Sequence, residues 1–436
     1  MTVSQGLAVL VFVVVFILIA IEAIHRTYAS MLGALIFVIL GAIKPEDIIA
    51  RDLLDMEILA VVLGLFLLVR GAERSGLFQF LAVKIMRNSK TPTAFAAILL
   101  SFTVFLAIFV SNIGAMLIMA SITITMARSL KIRPQILMIF QAVVINIGGM
   151  TLWTGSIPNI IIGIEGNLSF MDFIVHIMPL GIILYITTLI IFVRLFKKDF
   201  TPQPMDEFKD MEFDEWIDRA IEVSGLKVDG INQSSASAAA ILVLTIIGFM
   251  TYEVFNLTPA FIALTGGLLM MFNQTREPQG VLREVDWSTI FFLAGLFIMI
   301  NGLNEIGVIG ALAVWLSNLI GADPLYASIN LMWLSGFVSS VVDNIPLSSS
   351  LSPIVRGLVA NETSKLLWWG LVIGANLGGN MTPIGSPSNV ITIGISEQEG
   401  YPISFTMFLK LGSTLTILYF IISTFYLYLR YAVFAI

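Results

Sequence analysis

The sequence predicts an all-α polytopic membrane protein made of two inverted repeats, each with five transmembrane helices and a re-entrant helical hairpin. Three observations predict it. Apolar runs recur along all 436 residues, the second half repeats the first at a nearly fixed offset, and each repeat holds an odd number of spans.

Hydrophobic residues make up 58% of the chain and charged residues only 12%, with a mean hydropathy of +0.96. A soluble domain carries about 25% charged residues, so this chain cannot cover a water-facing surface, and the lipid bilayer is its first expected partner. The run 6–24 has no basic segment before it and no small-residue cleavage pattern after it, so it reads as a retained helix rather than a signal peptide. Runs at 28–43 and 57–70 follow, the second preceded by Asp55, where an acid favours a helix N-terminus. The amphipathic stretch Leu77–Arg87 reads as an interfacial connector. Two shorter apolar arms, 93–110 and 112–128, meet at Ser111-Asn112-Ile113-Gly114, too abruptly for a loop through water. A hairpin (93–128) that enters the membrane and returns fits, because irregular backbone at depth must be buried in protein or line a wet cavity. Spans at 136–163, broken in its middle, and 172–196 complete the first repeat, 1–196. Residues 197–236 carry ten acids against five bases and read as a cytoplasmic linker. The second repeat, 237–436, runs through 237–255, 259–272 and 287–303. A hairpin at 325–359 then turns at Asp343-Asn344-Ile345-Pro346, and the broken span 366–395 and the span 405–429 follow.

The repetition is explicit. At an offset of 231, Glu22, Thr27, Ala29 and Asp55 match Glu253, Thr258, Ala260 and Asp286. Gly64-Leu65-Phe66 matches Gly295-Leu296-Phe297, and Gly71 and Gly76 match Gly302 and Gly307. At 230, Asn146, Gly148, Gly149, Gly155, Ser156 and Asn159 match Asn376, Gly378, Gly379, Gly385, Ser386 and Asn389. Five spans per repeat invert the second copy. With the N-terminus outside the cytoplasmic membrane, 18 of the 23 Lys and Arg fall inside, in keeping with the positive-inside rule.

Paired interruptions in inverted halves point to a solute site near the midplane. The four interruptions are the two hairpin tips and the segments 146–159 and 376–389. Their glycines and prolines unwind helices and free backbone groups, while their side chains are mostly Asn, Ser and Thr, which both donate and accept. Asp343 is the one acid placed at depth in a tip. A charge at the bilayer centre costs about 2.5–3.5 kcal/mol, which marks it as the group for a coupling ion, bound H⁺ or Na⁺, besides any role capping the second hairpin arm. No cysteine exists, and the two histidines, His25 and His176, stand far apart. Thiolate chemistry is therefore excluded, and neither a metal site nor a cofactor is expected. His176 reads as structural. No base, nucleophile and orienting group form a constellation, so the chain is not expected to be an enzyme, and no nucleic-acid partner is expected. None of the four segments holds a basic residue, so neutral or weakly charged oxygen species suit them better than multiply charged anions.

The motifs SNIGAM (111–116), GGMTLWTGSIPN (148–159), VVDNIPLSS (341–349) and NLGGNMTPIGSPSNV (376–390) resemble those of the ion-transporter superfamily. The arsenite permease, melanosomal P protein and NhaD-type antiporter branch is the most similar. The resemblance implies homodimers, an elevator-type motion of hairpins and broken helices, and a site between the hairpin tips at Ser111, Asn112, Asp343 and Asn344. The broken-span residues Asn146, Thr151, Ser156, Asn159, Asn376, Asn380, Thr382, Ser386 and Asn389 would complete that site. Ile113 and Ile345 replace the threonine that sodium–dicarboxylate relatives carry at their tips. The function this implies is H⁺-coupled movement of a small inorganic solute, an arsenite-type oxyanion or weak acid. The alternatives are a Na⁺/H⁺ antiporter, a Na⁺-coupled carboxylate transporter and a channel. A peripheral ATPase, used by some arsenite permeases, leaves no recognisable signature.

Overall fold

The computed structural model describes residues 3–21, 23–50, 53–86, 91–110, 112–130, 133–196, 233–274, 278–359 and 365–434. Ser111 and residues 197–232 of the expected linker lie outside them. Among the described residues there are 21 helices and no strand. The first eleven are α1 (Val3–Ala20), α2 (Arg26–Ile39), α3 (Pro45–Ala50), α4 (Met56–Arg74), α5 (Leu77–Met86), α6 (Pro92–Phe109), α7 (Asn112–Leu130), α8 (Gln135–Thr151), α9 (Ile157–Glu165), α10 (Phe170–His176) and α11 (Met178–Phe196). Ten more follow: α12 (Gln233–Thr251), α13 (Pro259–Gln274), α14 (Pro278–Leu282), α15 (Trp287–Glu305), α16 (Val308–Ile320), α17 (Pro324–Ser339), α18 (Asn344–Leu358), α19 (Leu366–Gly378), α20 (Pro387–Gln398) and α21 (Phe405–Phe434).

Local chemistry sets the helix ends. The Asp55 and Asp286 carboxylates accept the Ile58 and Thr289 N–H groups at the starts of α4 and α15. Thr91 and Asp323 do the same for α6 and α17, each with a proline at the first helical position, where its missing N–H has no helical partner to lose. Gly76 and Gly307 follow α4 and α15 with φ of 74° and 78°, a left-handed turn that glycine adopts without a Cβ clash.

Among the described residues, four segments are long and apolar enough to cross a bilayer alone: Met178–Leu195, Gln233–Thr251, Trp287–Glu305 and Phe405–Val433. The remaining apolar helices are shorter or interrupted, as at α8 and α9, at α19 and α20, and at the 105° bend between α16 and α17. The expected single span 172–196 is divided. α10 stops at His176, whose carbonyl accepts the Tyr426 hydroxyl at 2.8 Å, and Pro179, the second residue of α11, has no N–H to continue the ladder. The His176 ring stacks on Trp369 at 5.2 Å between centroids and meets the Arg430 guanidinium.

Packing exchanges partners between the halves. α2 lies on α15 and α4 on α13, α7 lies on α20 and α9 on α18, while α6 covers α8 and α17 covers α19. The core sits at α8 and α19, where every residue of Leu137–Thr151 and Leu366–Gly378 is buried. Two of the sequence-matched glycines make the crossings. A Cβ on Gly64 would lie 2.3 Å from the Ala263 carbonyl carbon, and one on Gly295 would lie 2.7 Å from that of Ser30. Small residues at such crossings let backbones touch. Substitution Gly64→Leu or Gly295→Leu is expected to lower the thermal unfolding midpoint in detergent, with a cost of about 1–3 kcal/mol or more. Gly310→Leu, where nothing lies within 4 Å of the added Cβ, should leave the midpoint unchanged.

Candidate functional site

Between α8 and α9, and between α19 and α20, the helical ladder is broken and carbonyls lose their partners. Two asparagines replace those partners. Asn159 Nδ2 lies 3.0 Å from the carbonyl oxygens of both Gly149 and Met150, and 2.7 Å from that of Leu152. Asn389 Nδ2 donates to the carbonyls of Gly379 and Thr382 at 2.7 and 2.9 Å. Thr151 donates to the Gly148 carbonyl at 2.6 Å, and the Thr382 hydroxyl donates to the carbonyl of Ser340.

Behind the breaks, amides link the interrupted segments. Asn112, first residue of α7, donates to Asn146 Oδ1 at 3.0 Å. Asn146 Nδ2 donates to Asn380 Oδ1 at 2.7 Å, and the Ser386 hydroxyl reaches Asn146 Oδ1 at 3.3 Å. In the second chain Ser156 donates to Asn376 Oδ1 at 2.9 Å, and Asn376 Nδ2 donates to Asn159 Oδ1 at 2.8 Å. Glycine makes room for the first chain, since a Cβ on Gly149 would sit 2.8 Å from Asn112 Oδ1.

Beside these chains lies a cavity of about 170 Å³, room for on the order of ten waters. Asn112, Ser156, Asn344 and Ser386 line it from the interrupted segments, and Val62, Leu65, Phe66 and Leu242 face them from α4 and α12. The other sequence-selected residues take different places. Thr151, Asn159, Asn380 and Asn389 are buried and hold backbone or amide oxygens. Asn146 and Asn376 join the chains, and Thr382 secures the first residue after α17, so none of these seven is on the cavity wall. Asp343 caps α18, accepting the Ile345 N–H at 3.0 Å through Oδ1. Its Oδ2 accepts Arg26 Nη1 at 3.1 Å.

A basic residue from outside the four segments thus reaches this site, already paired with an acid. Arg26 is absent from the four segments but lines the cavity from the start of α2. Its Nη2 donates to the Thr289 hydroxyl at 2.9 Å, which donates in turn to Asp286 at 2.6 Å. The guanidinium carbon lies 5.3 Å from the Phe292 ring centre. Arg70 and Glu73 also line the cavity and pair with each other at 2.8 Å.

Residues 16–374 match the family described as citrate transporter. The chain belongs to that family. A 46 kDa membrane protein of Mycobacterium leprae is 30% identical over 434 residues, spanning 98% of this chain and 99% of the relative. An uncharacterized transporter of Mycobacterium tuberculosis is also 30% identical over 434 residues, spanning 98% of both chains. The P protein of Mus musculus is 27% identical, spanning 93% of this chain and 58% of its own. In fold, the YdaH transporter of Alcanivorax borkumensis is similar with a TM-score of 0.61 at 13% identity, covering 88% of this chain and 87% of that one. The citrate transporter family and the apolar helices together make this a multi-pass membrane transporter, and the ion-transporter resemblance read from the motifs holds.

For this family member, sequence reasoning missed Arg26, Thr289 and Asp286 as parts of one cluster. One signal was present: Arg26 precedes the matched Thr27, but Leu257 stands at its counterpart position, so the basic residue belongs to one copy alone. Substitution Asn376→Leu strips a partner from both Ser156 and Asn159. Each stranded polar group costs about 1–3 kcal/mol, so the thermal midpoint should fall further than for Ser156→Ala.

Proposed function

We propose that the protein is a secondary active transporter of the cytoplasmic membrane that moves a small inorganic oxyanion or weak acid of the arsenite type, coupled to H⁺ through Asp343. In this reading residues 1–196 and 237–436 are inverted copies joined by a cytoplasmic linker. The N-terminus is outside, and the hairpins and broken helices move as one body in a homodimer. The observation that carries the proposal is convergence. Segments nearly 270 residues apart, from Asn112 to Asn380, are joined by direct amide hydrogen bonds beside one cavity. Neutral donors and acceptors on its wall suit a solute rich in oxygen and low in charge.

A second reading, a carboxylate as the cargo, is favoured by Arg26 on the cavity wall and by the description of the family as citrate transporter. The side chains of Arg26 and Asp343 are 24% and 21% exposed, so the pair is not sealed in the protein interior.

Flux through purified protein in liposomes tests the proposal. With an inward-acid or outward-acid gradient imposed, arsenite should move against its own gradient, and Asp343→Asn should reduce that gradient-driven movement by roughly 5- to 150-fold, the span of one coupling interaction. Arsenite flux indifferent to Asp343→Asn overturns the coupling. Sodium-driven proton movement with no oxyanion present makes the protein an antiporter instead, and large uncoupled currents in voltage-clamped bilayers make it a channel.

A further inference from the structure

We propose that Arg26 is a substrate-recognition residue, and that it exchanges Asp343 for the cargo when Asp343 takes up a proton. The cargo is then a small anion presenting two oxygens to a guanidinium, as a carboxylate or a comparable oxyanion does. This rests on the reading of the cavity as the transport site and narrows the class of solute it takes.

The geometry of Arg26 carries the inference. Thr289 holds Nη2 at 2.9 Å, and the Thr289 hydroxyl is itself committed to Asp286 at 2.6 Å. The Phe292 ring stands 5.3 Å from the guanidinium carbon, and contact with an aromatic ring leaves the in-plane N–H donors aimed outward. Nη1 is therefore the donor whose partner is free to change. That partner, Asp343, sits on a different structural unit, the tip between α17 and α18, and has a second occupation in capping Ile345. A proton on Oδ2 removes the carboxylate's charge from the pair and occupies a lone pair of the oxygen that accepts Nη1, so an ionised oxygen in the cavity that Asn344 and Ser386 also line becomes the stronger acceptor for Nη1.

Charge balance points the same way. Two bases, Arg26 and Arg70, face three carboxylates, Glu73, Asp286 and Asp343. With all of them ionised the site carries one surplus negative charge and repels an anion, and a single proton removes the surplus. Among the helices packed on α18, α9 brings Glu165, which pairs with Arg356, and α15 brings Glu305 at its opposite end. The helical residues of α16, α17 and α19 include no Asp, Glu, Lys, Arg or His. Proton and anion would thus enter together, one on Asp343 and one on Arg26, with no other reactant needed.

The test is thermal stabilisation of the purified full chain by formate, oxalate and sulfate, whose own charge is nearly constant across the interval, with uncharged arsenous acid as the neutral probe, at pH 5.5 and 7.5. At least one anion is expected to stabilise the wild type more strongly at pH 5.5. Asp343→Asn should respond to that anion equally at both pH values. Arg26→Gln should need a concentration roughly ten- to hundredfold higher, and Arg26→Lys, which keeps the charge without the fork, should fall between. If Arg26→Gln is too unstable to assay, the double variant R26Q/D343N removes the stranded carboxylate and must show the same loss. An unchanged anion response in either Arg26→Gln or the double variant overturns the inference, as does a wild-type pH dependence in Asp343→Asn. Stabilisation by arsenous acid and by no anion overturns it too, while leaving the cavity as a transport site. Stabilisation by none of the probes, charged or neutral, sinks both.

Discussion

The constraint on which the structure depends is the demand of unpaired backbone for partners inside an apolar body. Breaking α8 and α19 strands carbonyls where water is scarce, and each stranded group costs free energy comparable to a lost hydrogen bond. Asn159 and Asn389 meet that demand at matched positions, each reaching back into the break that precedes its own helix. Because one side chain serves several carbonyls, the remaining polar groups of each break are released for other work. Ser156 caps α9 through its hydroxyl, Ser386 precedes α20 with its hydroxyl on Asn146 and Ser388, and both face the cavity. Neutral side chains do this more cheaply than charged ones, which would each need a partner of their own.

Charge is placed accordingly. It is kept out of the amide chains and gathered where one packing unit meets another, with Arg26 and Thr289 on the α2–α15 pair and Asp343 on the hairpin tip. An arginine so placed is held by a fixed fork of hydrogen bonds and an aromatic face, which fits a weakly hydrated, delocalised cation better than an ammonium. Partial exposure of both side chains keeps the desolvation cost of the pair moderate, since a fully buried pair of ions often costs more than it returns.

Much of this was legible in the sequence, and the legible part has a common cause. Asn, Gly and Pro in the middle of apolar runs contradict a continuous membrane helix, so the ends of α8 and α19 and the starts of α7 and α18 followed from residue type alone. The matched glycines 64 and 295 likewise anticipated places where backbones meet. What residue type does not reveal is which way a side chain points. Asn112 and Asn159 look alike in the sequence, yet one faces a cavity and the other is sealed against carbonyls. Arg26 escaped notice because its partner lies 317 residues away and because the start of an apolar span is an ordinary place for a basic residue. The interruption at Ile177 was missed because a proline at the second position of a helix is compatible with a helix beginning there as well as with a kink in a longer one.

The crossed packing also governs how the chain is made. The close backbone approach of α4 is made on α13, and that of α2 on α15. A ribosome adding about 5–20 residues per second needs roughly ten to forty seconds to travel from Gly64 to Ala263. For that interval α4 stands without the partner that closes on its Gly64. Assembly is thus a late event in synthesis, and an insertion machinery or the lipid itself must shield the nascent first half until its other half arrives.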